Sequence, residues 1–175
     1  MVLFQELIVP RKNGYRKTGV LESLSELQNK NKCKMKITLN RINDDYLFEC
    51  TNAQGNSILL DNTTQPGAKG VSPMESVLMA VAGCSGIDVV SILKKQRQEI
   101  TDFKAEVEGE RIQVDDAKPF KSIKVKFLLE GNIDPKKAQK AAQLSFEKYC
   151  SVSKTLEPTI EIAYEVFVNG EIVQP

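Results

Sequence analysis

The stretch from Ser72 to Gln96, SPMESVLMAVAGCSGIDVVSILKKQ, is the longest apolar run in the chain and limits what the rest can fold into. Ser72, Pro73 and Glu75 form a helix-start signature. A serine hydroxyl accepts from an orphan backbone N–H, proline is tolerated at the first helical position, and a glutamate at the third bonds back. Val77, Leu78, Val81, Ala82, Ile87, Val90 and Leu93 recur at helical spacing, and Met79, Ala80, Gly83 and Gly86 are small or apolar too. The pattern predicts a core helix buried nearly all round. At roughly 1.5 Å per residue it would run about 37 Å, enough to cross a small domain. Its glycines would let a neighbouring element approach closely. Glu75 and Asp88 confine the uncharged run to Ser76–Ile87. That is shorter than the roughly 20 apolar residues a spanning helix wants, so no membrane role is expected.

A chain of 175 residues can bury a proper core as one domain, or one domain with an appendage. Lys plus Arg total 24 against 23 for Asp plus Glu, a net charge of +1, which argues against a nucleic-acid partner. The opening MVLFQELIVPRKNG has no basic segment ahead of its apolar run and holds Glu6 within it, so it does not read as a signal peptide. A reducing, cytoplasmic setting is expected, where cysteines are free, catalytic or metal-bound. The chain has no histidine, which removes Ser–His and Cys–His nucleophile pairs and any histidine metal ligand. Cys33, Cys50, Cys84 and Cys150 show no C-x-x-C spacing, so no zinc ribbon is expected. Nor is there a G-x-G-x-x-G or phosphate-loop motif. In a cofactor-free enzyme of this composition, cysteine is the first nucleophile to consider.

Residues 1–33 read as an N-terminal arm on a domain of residues 34–175, with Leu21, Leu24 and Leu27 predicting a short helix within Val20–Lys30. Lys34–Asn40, Asp45–Thr51 and Ser57–Asp61 predict a three-stranded meander, since Met35, Ile37 and Leu39 alternate with polar residues and turn residues separate the runs. Asp102–Glu110 and Ser122–Glu130 alternate again. Asp134–Tyr149 predicts a second helix with Asp134 as its cap, Ser151–Leu156 a brief helical turn, and Thr159–Val168 a last strand. The class is α+β, antiparallel sheets packed around a long buried central helix.

Two of the cysteines stand in informative contexts. Cys84 lies mid-helix between Gly83 and Ser85. By composition it reads as a packed small hydrophobe, because an apolar setting keeps a thiol protonated and inert. Cys150 falls between the second helix and the following turn, where a helix N-terminus favours thiolate; packing is the alternative there too. A peroxide-reducing thiol needs a second thiol to convert its sulfenic acid to a disulfide. Sequence spacing does not establish that these two meet.

The words SPMESVLMAVAGCSGIDVVSIL (72–93) and EKYCSVSKTL (147–156) resemble the two cysteine motifs of the OsmC/Ohr family, the osmotically inducible and organic hydroperoxide resistance proteins. The likeness covers roughly Lys34 to Val168, and GCSGIDVVSILKKQRQ is most similar to the YhfA-like branch. The resemblance implies an intertwined homodimer with both subunits lining each pocket. It also implies a thiol peroxidase for organic hydroperoxides, with Cys84 peroxidatic, Cys150 resolving, a small or protein dithiol as reductant, and neither metal nor organic cofactor.

Two departures bear on the site. Better-known members of the family place a glutamate ten residues before the first cysteine, where this chain has Met74, and Glu75 stands one later. One helical step turns a side chain by about 100°, so Glu75 is either a catalytic acid or only the capping acid. The family also uses an arginine from an early loop. Among Arg11, Arg16, Arg41, Arg97 and Arg111, Arg41 lies in about that position, with a solvated turn residue as the alternative. Cys33 and Cys50 match no catalytic position. The second overall reading is a stress or ligand-binding protein of the same fold with little or no peroxidase activity.

Overall fold

The computed structural model describes residues 34–64 and 66–174, and those from Ile37 onward belong to one compact unit. The expected arm over residues 1–33, its helix within Val20–Lys30, and Cys33 lie outside the described residues.

Strands β1 (Ile37–Arg41), β2 (Phe48–Asn52) and β3 (Ser57–Leu60) form the expected antiparallel meander, in the order β1-β2-β3. Asparagines make its turns. Asn43 Oδ1 accepts from the amides of Asp45 and Leu47, and Asn52 Oδ1 from those of Gln54 and Asn56. The sheet is tied to the chain entering the long helix by two backbone bonds, Asp61 N–H to Val71 O (2.9 Å) and Val71 N–H to Leu59 O (3.1 Å). No residue of these three strands joins the buried core cluster, and Ile37, Leu39 and Ile58 stay 68, 53 and 55% exposed. The alternation therefore marks an apolar face that the described residues leave uncovered.

Helix α1 (Pro73–Lys95) begins as its sequence dictates. Ser72 Oγ accepts from the Glu75 amide, and a Glu75 carboxylate oxygen accepts from the Ser72 amide at 2.7 Å. The helix is not buried nearly all round. Its buried row is Val81, Ser85, Val89 and Leu93, four residues apart, together with Gly86, whereas Ile87 is 73% exposed and Met79 53%. The hydropathy of α1 would suit a membrane span by length and composition, yet Val81, Val89 and Leu93 are wholly buried in the core. Only Gly86 of its two glycines receives a close neighbour, the Phe103 ring; Gly83 faces open space.

Past Arg97, which turns the chain with φ 57°, β4 (Glu99–Arg111) and β5 (Phe120–Asn132) pair antiparallel. Ile123, Val125, Phe127 and Leu129 alternate into the core against Val81, Val89 and Leu93 of α1 and Ala138, Ala141 and Ala142 of α2 (Pro135–Leu144). Truncating Phe127 to alanine at such a site costs about 3–5 kcal/mol. Asp134 caps α2 by accepting from the Lys136 and Lys137 amides. The second helix does not run unbroken to Tyr149: Ser145–Tyr149 is a π-helical turn, and α3 (Ser151–Leu156) follows it.

The chain then enters β6 (Glu161–Val168), which lies parallel to β5, so the larger sheet, in which β4, β5 and β6 are neighbours in that order, is mixed rather than antiparallel. The helices between β5 and β6 form a crossover connection, which returns a chain in the same direction. A tight turn at Asn169 (φ 50°) and Gly170 (φ 83°) adds a short strand β7 (Glu171–Ile172) that the sequence reading did not contain.

Candidate active site

The residues that matter on α1 sit one step from its core row. Cys84 and Asp88 are four apart, so they share a face of the helix adjacent to Ser85 and Val89. That face meets the π-helical turn. There the Cys150 amide donates to the Ser145 carbonyl, five residues back, at 2.8 Å. An i→i+5 closure widens the helix by one residue, a feature frequent at functional sites. It brings Ser145 and Cys150 together onto α1. Ser145 Oγ donates to Asp88 Oδ2 at 3.0 Å, and Cys84 Sγ, Cys150 Sγ and an Asp88 carboxylate oxygen all lie within 4.8 Å of one another.

The two sulfurs are unlike. Cys84 is half-buried, whereas Cys150 is wholly buried at the N-terminus of α3. The Ser153 hydroxyl (3.1 Å) and amide (3.4 Å) both donate to Cys150 Sγ. Burial pushes the Cys150 thiol above its ordinary range; the Ser153 donors work against that rise, and the adjacent Cys84 reinforces it. A thiol kept protonated and out of solvent waits for a neighbour rather than meeting a solute first.

Two cavities flank the pair along α1. Toward the helix N-terminus, one of about 340 Å³ is lined by Val77, Ala80, Val152 and Leu156, and is mostly apolar. Toward the C-terminus, one of about 350 Å³ is lined by Asp88, Ser91, Lys95, Gln96 and Tyr149. A concavity of about 550 Å³ lies on another face of α1 over Gly83, Gly86, Ile87 and Phe103, and neither sulfur lines it.

Of the four expected site residues, the structure brings together Cys84 and Cys150. Glu75 is engaged in the helix cap, where the Ser72 hydrogen bonds hold its carboxyl below the usual carboxylate range. Arg41 ends β1, exposed, and no hydrogen bond or ion pair among the described residues joins it to either sulfur or to Asp88. Cys50 lies on β2, paired with Leu39 and Ile58, outside the cluster. Asp88 and Ser145 were missed, and Ser153 was read only as part of the motif that follows Cys150. For Asp88 a signal existed, a carboxylate one turn beyond a mid-helix cysteine. Ser145 depends on a π turn that no residue pattern announces, whereas Ser153 reaches Cys150 within the first turn of α3.

Fold and thiol pair define a class: an α+β protein in which a long helix and a second, broken helix present two free cysteines to each other. This chain belongs to the OsmC family, in its YhfA-like branch. Residues 66–165 match the family model described as OsmC-like protein. The chain is 43% identical over 117 residues to Protein YhfA of Escherichia coli K12, covering 65% of this chain and 85% of that one. Among solved structures, a hypothetical protein from Aquifex aeolicus VF5 is 32% identical with a TM-score of 0.66, over 78% of this chain and 98% of its own. The organic hydroperoxide resistance protein OhrB of Bacillus subtilis shares the fold at 21% identity and a TM-score of 0.55, over 77 and 98%.

Proposed function

We propose that this protein is a thiol-dependent reductase of organic hydroperoxides serving peroxide-stress defence in the cytoplasm. The observation that carries the reading is the placement of Cys84 and Cys150 Sγ within 4.8 Å of each other, one sulfur accessible and the other buried. The fold likeness to a named organic hydroperoxide resistance protein supports it.

In this reading the Cys84 thiolate attacks the outer oxygen of the hydroperoxide and the O–O bond breaks. Cys84 becomes a sulfenic acid and the alcohol leaves. Asp88 accepts the thiol proton and returns it to the departing alkoxide, steadied by the Ser145 hydroxyl. Cys150 then attacks the sulfenic sulfur, expelling water and forming a disulfide, and an external dithiol is oxidised as it restores both thiols. The apolar cavity beside Val77, Ala80 and Leu156 favours an alkyl substituent over hydrogen peroxide.

A homodimer is part of the proposal. Ile37, Leu39 and Ile58 on the smaller sheet, and Met79 and Ile87 on α1, are apolar and exposed in the single chain. In such an assembly Arg41, on that same sheet, would be brought to serve a thiol pair. The test is consumption of an alkyl hydroperoxide with a dithiol reductant, expected for the native chain and abolished by Cys84→Ser. The alternative, a binding protein without peroxidase activity, draws on the complete burial of Cys150. It predicts no consumption by either.

A further inference from the structure

We propose that the reduced protein takes one thiophilic divalent cation of the zinc class, held by Cys84 Sγ, Cys150 Sγ and a carboxylate oxygen of Asp88. The three donors lie within 4.8 Å of one another and come from two helical segments remote in sequence. At metal–sulfur bonds of about 2.3 Å and metal–oxygen bonds of about 2.1 Å, tetrahedral donors stand roughly 3.6–3.8 Å apart. Closing the cluster onto an ion therefore asks for about 1 Å of movement at most, by side-chain rotation.

The surroundings suit a ligand set. The Ser145 hydroxyl donates to one Asp88 oxygen at 3.0 Å, which fixes the carboxylate and leaves lone pairs on the other oxygen, as outer-shell partners of metal ligands do. The Ser153 amide and hydroxyl, pointed at Cys150 Sγ, stabilise a coordinated thiolate. No other trio of cysteine, aspartate or glutamate donors this close occurs among the described residues, and the chain has no histidine to compete. Three protein ligands leave the fourth position to solvent.

Binding is a proton exchange without redox change. Each thiol gives up one proton, each sulfur donates an electron pair to the ion, and two protons leave per ion bound. The disulfide form has no thiolates to offer, so only the reduced state takes the ion. Metal and oxidant would then compete for the same sulfurs. This inference rests on the thiol pair and not on peroxidase activity.

The test is an anaerobic titration of the reduced, full-length Cys33→Ser, Cys50→Ser protein with Co²⁺ alone. One equivalent should develop a thiolate-to-cobalt charge-transfer band and the visible bands of a tetrahedral site, displaced by Zn²⁺, with two protons released. Cys84→Ser or Cys150→Ser should abolish the bands. Asp88→Asn keeps the side-chain shape and should weaken affinity at least about tenfold, and Ser145→Ala by about tenfold or more. A protein whose two thiols react freely with a thiol reagent but develops no charge-transfer band overturns the site. So does a band unchanged by Cys150→Ser or Asp88→Asn, which would show an ion on a single thiol. A failed peroxide assay leaves these outcomes unaffected.

Discussion

The Ser145 hydroxyl donates to the Asp88 carboxylate at 3.0 Å across 57 residues, and this bond joins the broken second helix to the face of α1 that carries Cys84. It is a charge-assisted bond whose donor is wholly buried. Ser145→Ala should therefore lower unfolding free energy by about 1.5–3 kcal/mol. It should also slow Cys84 oxidation, because the carboxylate loses its fixed aim. Urea denaturation and the rate of sulfenic acid formation check the two effects separately.

The Ser153 donors set how readily Cys150 ionises. Removing the hydroxyl leaves only the 3.4 Å amide contact, so in Ser153→Ala the thiol should rise still further above its ordinary range. In a Cys84→Ser background, alkylation of Cys150 should be slow at neutral pH and climb as pH passes through and beyond the usual thiol range of about 8.5. Ser153→Ala should shift that climb to higher pH. A Cys150 that alkylates fully at pH 7 would contradict the assignment.

Glu75 belongs to the helix cap, and its variants should behave accordingly. Its carboxyl is held below the usual range by Ser72, so its stabilisation is complete above the unfolded carboxylate pKa of about 4.3 and is lost as pH falls through the lower, folded value. Glu75→Gln should flatten that acid limb in a pH series of thermal melts while leaving the rate of Cys84 oxidation within about twofold. Ser72→Ala should cost roughly 0.5–2 kcal/mol, typical of a lost N-cap.

Gly86 lets α1 sit close on β4. A Cβ there would meet the Phe103 ring at 3.1 and 3.2 Å, and that ring leads an aromatic file through Phe127 and Phe146 to Tyr164. Gly86→Ala sets an overpacking cost of about 1–3 kcal/mol against a helix-propensity gain of roughly 1 kcal/mol, so it should destabilise by up to about 2 kcal/mol. Calorimetric melting checks it; a stabilised variant would mean the file yields without strain.

What the sequence disclosed was local. The capping box at Ser72 and Glu75, the Asp134 cap, and the alternation of Phe103, Ala105 and Val107 each depend on neighbours within a few residues, and each appears as read. Where partners lie far apart, the reading failed in a physical way. Ile87 and Val90 looked as buried as Val81 and Leu93, because α1 is apolar on several sides and its pattern does not say which side meets the sheet. Ile37 and Leu39 announced an apolar face but not its cover. The parallel pairing of β6 with β5 was available from the helices between them. The π turn was not, since Ser145–Tyr149 carries no residue that forbids an ordinary helix. The meeting of Cys84 with Cys150 came from resemblance rather than spacing, and Asp88 was passed over as a charge that merely bounded an apolar run.

The proposed function depends on one reaction, oxidation of Cys84 by an alkyl hydroperoxide followed by closure onto Cys150. Intact mass of the reduced protein after one equivalent of an alkyl hydroperoxide, beside Cys84→Ser and Cys150→Ser, tests it directly. The native chain should promptly lose two hydrogens, Cys150→Ser should gain one oxygen as a trappable sulfenic acid, and Cys84→Ser should stay unchanged. A native chain that remains fully reduced over many minutes would contradict it, leaving Cys84 and Cys150 as packed thiols.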